Sequence, residues 1–354
     1  MTLAQLVSVY QERYVDVHRA ATADAYRWQL GAIATTELPT PTGAVVAFGA
    51  WRLSDIVTDT VERFREVRRR RTGTAGVNRM LANLRAVYSW AIRTGYVESS
   101  PFKRNGETAV RLEPETSRAR RLQAGEEEAI LAAAIPAVHA LVTTAIETGM
   151  RRGEILSLQW SQVEGLTVDG KTLKWSSRAA LFLPAAKTKT RRDRRIPVST
   201  RLRAVLEMRR FDPADQALPA DAYVFGNALG KQADGFRRVW ATTLLRAHGH
   251  HPRRTPTGQL DRVSRAHLRA IDLHFHDLRR EAGSRWLEGG VPVHTVRDWL
   301  GHTSIAQTST YLASTMATAH DAMAKFDLGR NQLRPEPAGR RGHDGSPMAT
   351  RIVN

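Results

Sequence analysis

The sequence of 354 residues predicts a mostly α-helical N-terminal domain followed by an α+β domain in which helices surround a small antiparallel sheet. Two observations carry this. Apolar residues recur at three- and four-residue spacing through the first hundred positions, with turn residues between the runs. After about residue 160, short β-like runs bounded by Gly, Pro and basic residues interrupt the helical pattern, which then resumes.

Leu3, Leu6, Val7, Tyr10 and Tyr14 form the first helical stripe, and Tyr26, Leu30 and Ile33 the second. Pro39, Pro41 and Gly43 mark 37–50 as a loop. The third stripe is Leu53, Ile56, Val57, Val61, Phe64 and Val67; it ends in the basic run Arg68 to Arg71, broken by Gly73 and Gly76. Met80, Leu81, Leu84, Val87, Tyr88 and Ile92 form the fourth, ending near Gly95. These four place a helical domain at 1–104. Residues 105–121 are polar and arginine-rich and read as an interdomain linker, either a solvated loop or, as the global charge favours, a strap along a phosphate backbone. The second domain spans 122–325, with helices over 125–134, 137–148, 200–210, 234–247, 276–288, 293–300 and 314–325. Its β-like runs are 166–168, 181–183 and 195–198. Residues 326–354, with Pro335, Pro337, Gly339, Gly342, Gly345 and Pro347 and no apolar period, read as a disordered tail.

The charge balance narrows the partner. There are 53 basic and 35 acidic residues, a net +18, and only seven of the basic residues are lysine. Guanidinium forks match phosphates bidentately, so a polyanion is the default partner. The absence of cysteine excludes disulfides, thiol nucleophiles, iron–sulfur clusters and cysteine zinc sites. No apolar run approaches the ~20 residues that span a bilayer. The N-terminus shows no basic-then-apolar signal, so a cytoplasmic location is expected.

Two stretches carry the chemistry: ETGMRRGEILSLQW at 147–160 and HFHDLRREAGSRWLEGGVPVHTVRDWLGHTSIAQTSTYLA at 274–313. Between them LPAAKTKTRRDRRIPVS, 183–199, reads as a basic β-hairpin. Singly, each feature is ordinary. His276 and Arg279 share a helical face and would more often cap or pair. Gly301–His302 would be a helix end, Tyr311 half-buried packing, and Arg151 a surface ion pair. Together, in this order and spacing, they are not ordinary.

In these residues the chain resembles the tyrosine recombinase (phage integrase) family. Thr148, Gly149, Arg151 and Glu154 match its first arginine box. His276, Leu278 and Arg279 match its H-x-L-R box; Leu300, Gly301 and His302 precede Tyr311 as its L-G-H box precedes its tyrosine. Lys189, eight residues before Pro197, matches its hairpin lysine, with Lys187 the alternative. Arg280 stands where many members carry a second histidine. Residues 77–102 resemble, more loosely, the family's core-type DNA-binding domain. A separate arm-type domain is not expected, because Leu3 already opens the helical pattern.

The resemblance implies a site-specific DNA recombinase, or integrase, that cleaves and rejoins strands through a 3′-phosphotyrosyl intermediate. Its two domains would close like a clamp on double-stranded DNA, as a homo-oligomer, a dimer on one site and a tetramer in synapsis. It implies no cofactor and no metal. Chemistry agrees with the residue types. Attack at phosphorus piles negative charge on the non-bridging oxygens, which Arg151 and Arg279 would meet with permanently charged forks. Tyr311 needs a base, for which His276 is placed. His302 would donate to a phosphate oxygen or assist His276. Lys189 would protonate the leaving 5′ oxygen. Glu154 would orient an active-site cation.

Rival readings are a type IB topoisomerase, relaxing DNA without site preference, and a non-catalytic, sequence-specific DNA-binding protein descended from a recombinase. A third is a metal hydrolase on His248, His250, His251, His267 and His274. Arg253, Arg254, Arg262, Arg265 and Arg269 are interspersed there and favour a DNA-facing insertion instead. GNALGKQ at 226–232 is not a phosphate-binding loop; it is one residue short between its glycines and lacks the final Ser/Thr.

Overall fold

The structure, a computed structural model, describes residues 1–40, 43–115, 118–188, 192–309 and 323–324. Its contacts divide the chain into two units, Met1–Ser117 and Arg118–Asn354. The helix expected at 314–325 and the tail expected at 326–354 lie outside the described residues, Met323 and Ala324 excepted.

The first unit is built on α1 (Leu3–Tyr10), α2 (Ala23–Ala34), α3 (Thr58–Arg69) and α4 (Thr74–Arg93). Helix α1 starts on a reciprocal cap: Thr2 Oγ1 accepts from Gln5 N, and Gln5 Oε1 accepts from Thr2 N at 2.8 Å. Leu6, Leu30, Ile33, Phe64, Leu81, Leu84 and Tyr88 close one core. Two local expectations are corrected. The expected loop 37–50 holds a hairpin, β1 (Glu37–Pro39) against β2 (Val45–Ala47), that turns Leu38 fully inward. The third stripe is not one helix. Leu53–Asp55 forms a 3-10 turn, and Val57 is extended (φ −106°, ψ 176°) with its N–H taken by the Thr60 hydroxyl at 3.3 Å, so α3 begins only at Thr58.

The stretch 105–121, expected as an interdomain strap, is divided between the units after Ser117. A short hairpin, β3 (Lys103–Arg104) and β4 (Glu107–Thr108), follows Phe102, and both Phe102 and Val110 are buried in the first core. Asn78 exchanges two hydrogen bonds with the Glu113 backbone, at 2.8 and 3.1 Å. Arg118, Arg120 and Arg121 belong to the second unit, where carboxylates occupy them. Arg118 Nε donates to both Asp277 oxygens at 2.9 and 3.0 Å, Arg120 pairs with Glu126, and Arg121 Nε donates to Glu281 at 3.0 Å.

In the second unit β5 (Val163–Asp169), β6 (Thr172–Leu183) and β7 (Arg194–Pro197) form an antiparallel sheet in that order, with Leu181 opposite both Val163 and Ile196. Around it run α5 (Glu126–Ala133), α6 (Pro136–Thr148), α7 (Arg152–Leu156), α8 (Thr200–Glu207), α9 (Phe236–Ala247), α10 (Arg262–Ile271), α11 (Asp277–Glu288), α12 (Val293–Leu300) and α13 (Ile305–Ser309). Helix α6, with proline at its first position, buries Leu141, Val142, Thr144, Ala145 and Ile146 and packs against α8 and α11. It is the pillar that presents the following turn. Helix α10 was not expected: Asp261 caps it by accepting from Ser264 N at 2.7 Å, and Leu268 and Ile271 pack inward. Among the described residues no helix is long and apolar enough to cross a membrane.

Candidate active site

Three turns meet in the second unit, two of them closed by a glycine in left-handed backbone. Helix α6 ends at Gly149 (φ +56°), whose N–H donates to Ala145 O at 2.9 Å. A Cβ there would sit 2.6 Å from Leu300 Cδ2, so only glycine lets the turn close on α12. Arg151 follows in extended conformation as the N-cap of α7. Helix α12 ends at Gly301 (φ +66°), and His302 N donates to Arg297 O at 3.0 Å. Helix α11 begins just after His276.

Hydrogen bonds join these turns. Glu154, one helical turn beyond Arg151, accepts from Arg151 N at 2.8 Å and from Arg151 Nη1 at 2.9 Å. The same carboxylate accepts from Arg194 Nη2 at 2.6 Å. Arg194 Nη1 donates to Leu300 O at 2.8 Å, and Arg279 Nη2 donates to that same carbonyl at 2.5 Å. Arg279 Nη1 reaches back to Gly149 O at 2.7 Å. Arg279 is only 2% exposed, whereas the Arg151 side chain retains 27%. Burial opposes the charge on Glu154, but Arg194 and the hydrogen bonds from Arg151 outweigh it and hold the carboxyl below its ordinary value.

The two histidines share one electrostatic neighbourhood. Partial desolvation, then the charges of Arg279 and Arg151, push His276 below its ordinary value. Burial, then Arg279, Arg151, Arg194 and His276, lowers His302 to about 4. Both imidazoles are therefore neutral near neutral pH in the free protein. His302 Nδ1 lies 3.0 Å from the fully buried Thr308 Oγ1. If that hydroxyl donates to Nδ1, the proton of neutral His302 is on Nε2, available to an oxygen.

Of the residues singled out from sequence, Arg151, Glu154, His276, Arg279 and His302 are thus brought together. Tyr311 and Lys189 lie outside the described residues; Lys187 closes a 3-10 turn, Ala185–Lys187, after β6. Asp277, beside His276, is braced by Arg118 and accepts from His274 N at 2.7 Å. In the histidine-rich insertion, His250 and His267 stack with centroids 3.8 Å apart, and His248 lies against Glu126. Among the described residues no group of three or more His, Asp or Glu is arranged to hold a metal ion.

Arg194 was missed from sequence, hidden in the basic run 191–195. A signal existed: β7 alternates, with positions 194 and 196 buried and 195 and 197 exposed. An arginine in phase with an inward isoleucine must find a carboxylate or carbonyl inside.

Residues 120–318 match the model of the phage integrase family. A shufflon-specific DNA recombinase of Escherichia coli is 30% identical over 191 residues, covering 54% of this chain and 37% of that protein. The match thus spans little more than a third of that relative's length. Tyrosine recombinase XerC of Xanthomonas axonopodis pv. citri is 25% identical over 312 residues, 85% of this chain and 87% of that one. Among solved structures, the Tn1549 transposon integrase in complex with circular intermediate DNA aligns with a TM-score of 0.61 at 14% identity, over 91% of this chain and 99% of that one. A lambda integrase tetramer bound to a Holliday junction aligns at 0.58 and 18% identity, over 88% and 77%. At these identities the two structures speak for the fold.

Proposed function

Because this chain belongs to the phage integrase family, we propose that it is a tyrosine-type site-specific DNA recombinase, cleaving and rejoining strands through a 3′-phosphotyrosyl intermediate. The observation that carries the reading is the convergence of Arg151 and Arg279, with His276 and His302, on three adjoining turns wired through Glu154. Its partner is double-stranded DNA. It acts as a dimer on one site and as a tetramer when two sites pair, a reading supported by the lambda integrase tetramer on a Holliday junction.

The scissile phosphate lies against the Arg151 and Arg279 side, where fixed positive charge meets the charge that grows at phosphorus in the transition state. The Tyr311 oxygen attacks phosphorus and its proton passes to His276, whose depressed pKa keeps the ring free to accept. His302 donates from Nε2 to a non-bridging oxygen. The bond from phosphorus to the 5′ oxygen breaks, and Lys189 supplies the proton to that oxygen. The phosphotyrosyl ester conserves the bond, so the 5′ hydroxyl of a second strand displaces the tyrosine without ATP.

A nicked duplex carrying the DNA that flanks the gene tests this. The wild type should form a covalent protein–DNA adduct in excess EDTA, and Tyr311→Phe should bind the same duplex without forming one. Relaxation of any supercoiled plasmid without site preference would instead indicate the topoisomerase reading. Binding with no adduct from the wild type would indicate a non-catalytic binder.

A further inference from the structure

We propose that Arg194 is a positioning residue for strand cleavage, locking Arg151 and Arg279 into one orientation through Glu154 and the Leu300 carbonyl. This rests on the recombinase reading of the site.

The argument starts from what a buried arginine costs. The Arg194 side chain is 4% exposed, and its Nε, itself buried, has no hydrogen-bond partner among the described residues. An ion pair at such depth contributes little over a well-packed apolar replacement, because desolvation consumes most of the attraction. Its value here is directional. The Glu154 oxygen that takes Arg194 Nη2 at 2.6 Å is the one that takes Arg151 N at 2.8 Å. The other oxygen is thereby turned toward Arg151 Nη1, at 2.9 Å. On its far side Arg194 Nη1 shares Leu300 O with Arg279 Nη2. An unbroken chain of hydrogen bonds therefore runs from Arg151 to Arg279, and Arg194 is its middle link.

Two further features fit this role. Gly301 lies so close that a Cβ would stand 2.6 Å from Arg194 Nη1, so the turn leading to His302 is moulded on this guanidinium. Arg194 also opens β7, directly after Arg192 and Asp193, on the strand that follows the segment carrying Lys189. One side chain thus ties the start of that strand to the turns of Arg151, Arg279 and His302. A cavity of about 110 Å³, lined by Arg192, Asp193, Arg194, Asp298, Gly301 and His302 among others, leads in to it.

The test separates binding from chemistry. Arg194→Met keeps the volume and removes both links; Arg194→Lys keeps the charge but reaches one acceptor at a time. Single-turnover adduct formation in the DNA-saturated complex should fall roughly 10- to 100-fold for Met, the scale of an ångström-level misplacement, and less for Lys. DNA affinity should change less than about threefold, because the Arg194 side chain is buried and spends its hydrogen bonds inside the protein. Adding Glu154→Gln to Arg194→Met should cost little more, since both break one chain. Guanidinium ion, entering by the cavity, should restore part of the rate to Arg194→Ala. Wild-type adduct rates in Arg194→Met would overturn the proposal. So would equal losses of rate and affinity with no guanidinium rescue, the mark of a generally loosened fold. If Arg194→Met does not fold, Arg194→Lys carries the same comparison. The wild-type adduct, run in parallel, tests the recombinase reading separately.

Discussion

Gly301→Ala probes the junction of the three turns, and its cost can be built from two parts. The backbone there is left-handed (φ +66°), which costs an alanine about 1–2 kcal/mol. The new Cβ would also stand 2.6 Å from Arg194 Nη1, and that guanidinium yields only by leaving Leu300 O. A hydrogen bond to a charged group contributes about 1.5–3 kcal/mol. Against this, alanine restricts the unfolded chain and returns about 0.4–1 kcal/mol. The net loss should be roughly 2–4 kcal/mol. Two other glycines separate the parts. Gly290 is left-handed (φ +86°) with open space where a Cβ would go, so Gly290→Ala should lose only about 1 kcal/mol. Gly153 lies within α7 with nothing near, and Gly153→Ala should be neutral or slightly stabilising. The assay is urea unfolding of the three variants beside the wild type. A Gly301→Ala variant no less stable than Gly290→Ala would refute the claim that Arg194 is immovably seated behind the turn.

Stability should fall on acidification through His302. Its folded pKa of about 4 lies below its ordinary 6.5, so the folded state binds fewer protons; the contribution is whole above pH 6.5 and is lost between there and about 4. The size is on the order of 3 kcal/mol, read as the difference between wild type and His302→Asn in unfolding at pH 7 and at pH 4.5; parallel pH curves would contradict it. Lys189→Ala should slow cleavage of an ordinary phosphodiester far more than Lys187→Ala does, and a leaving group that needs no proton should restore it. The reverse ranking moves the acid to Lys187.

The parts of the site that sequence disclosed are those whose meaning lies in spacing. Arg151 with Glu154, and His276 with Arg279, each fall within one helical turn, and a three-residue interval is visible in a string of letters. Gly149 and Gly301 stood in the same motifs, though the close approach of Leu300 and Arg194 that forbids a Cβ was not visible. What sequence hid was pairing across long separations. The carboxylates that pair with Arg118 and Arg121, Asp277 and Glu281, lie about 160 positions away. Arg194 looked like one more charge in a basic run because Glu154 and Leu300 are 40 and 106 positions distant. In the fold, the long apolar stripes gave α1, α4 and α6 readily. The three arginines of α10 drew the reading to a basic insertion, although Leu268 and Ile271 share one face of an amphipathic helix. The 3-10 turn before α3 was lost for another reason. A capping hydroxyl at Thr60, not the apolar spacing, decides where that helix begins.

The central claim is that the phenolic oxygen of Tyr311 becomes bonded to a DNA phosphate. Protease digestion of the trapped adduct followed by mass spectrometry measures this directly. The predicted result is a nucleotide, attached through its 3′ phosphate, on the peptide that contains Tyr311. A nucleotide on any other residue, or one attached through a 5′ phosphate, would contradict it.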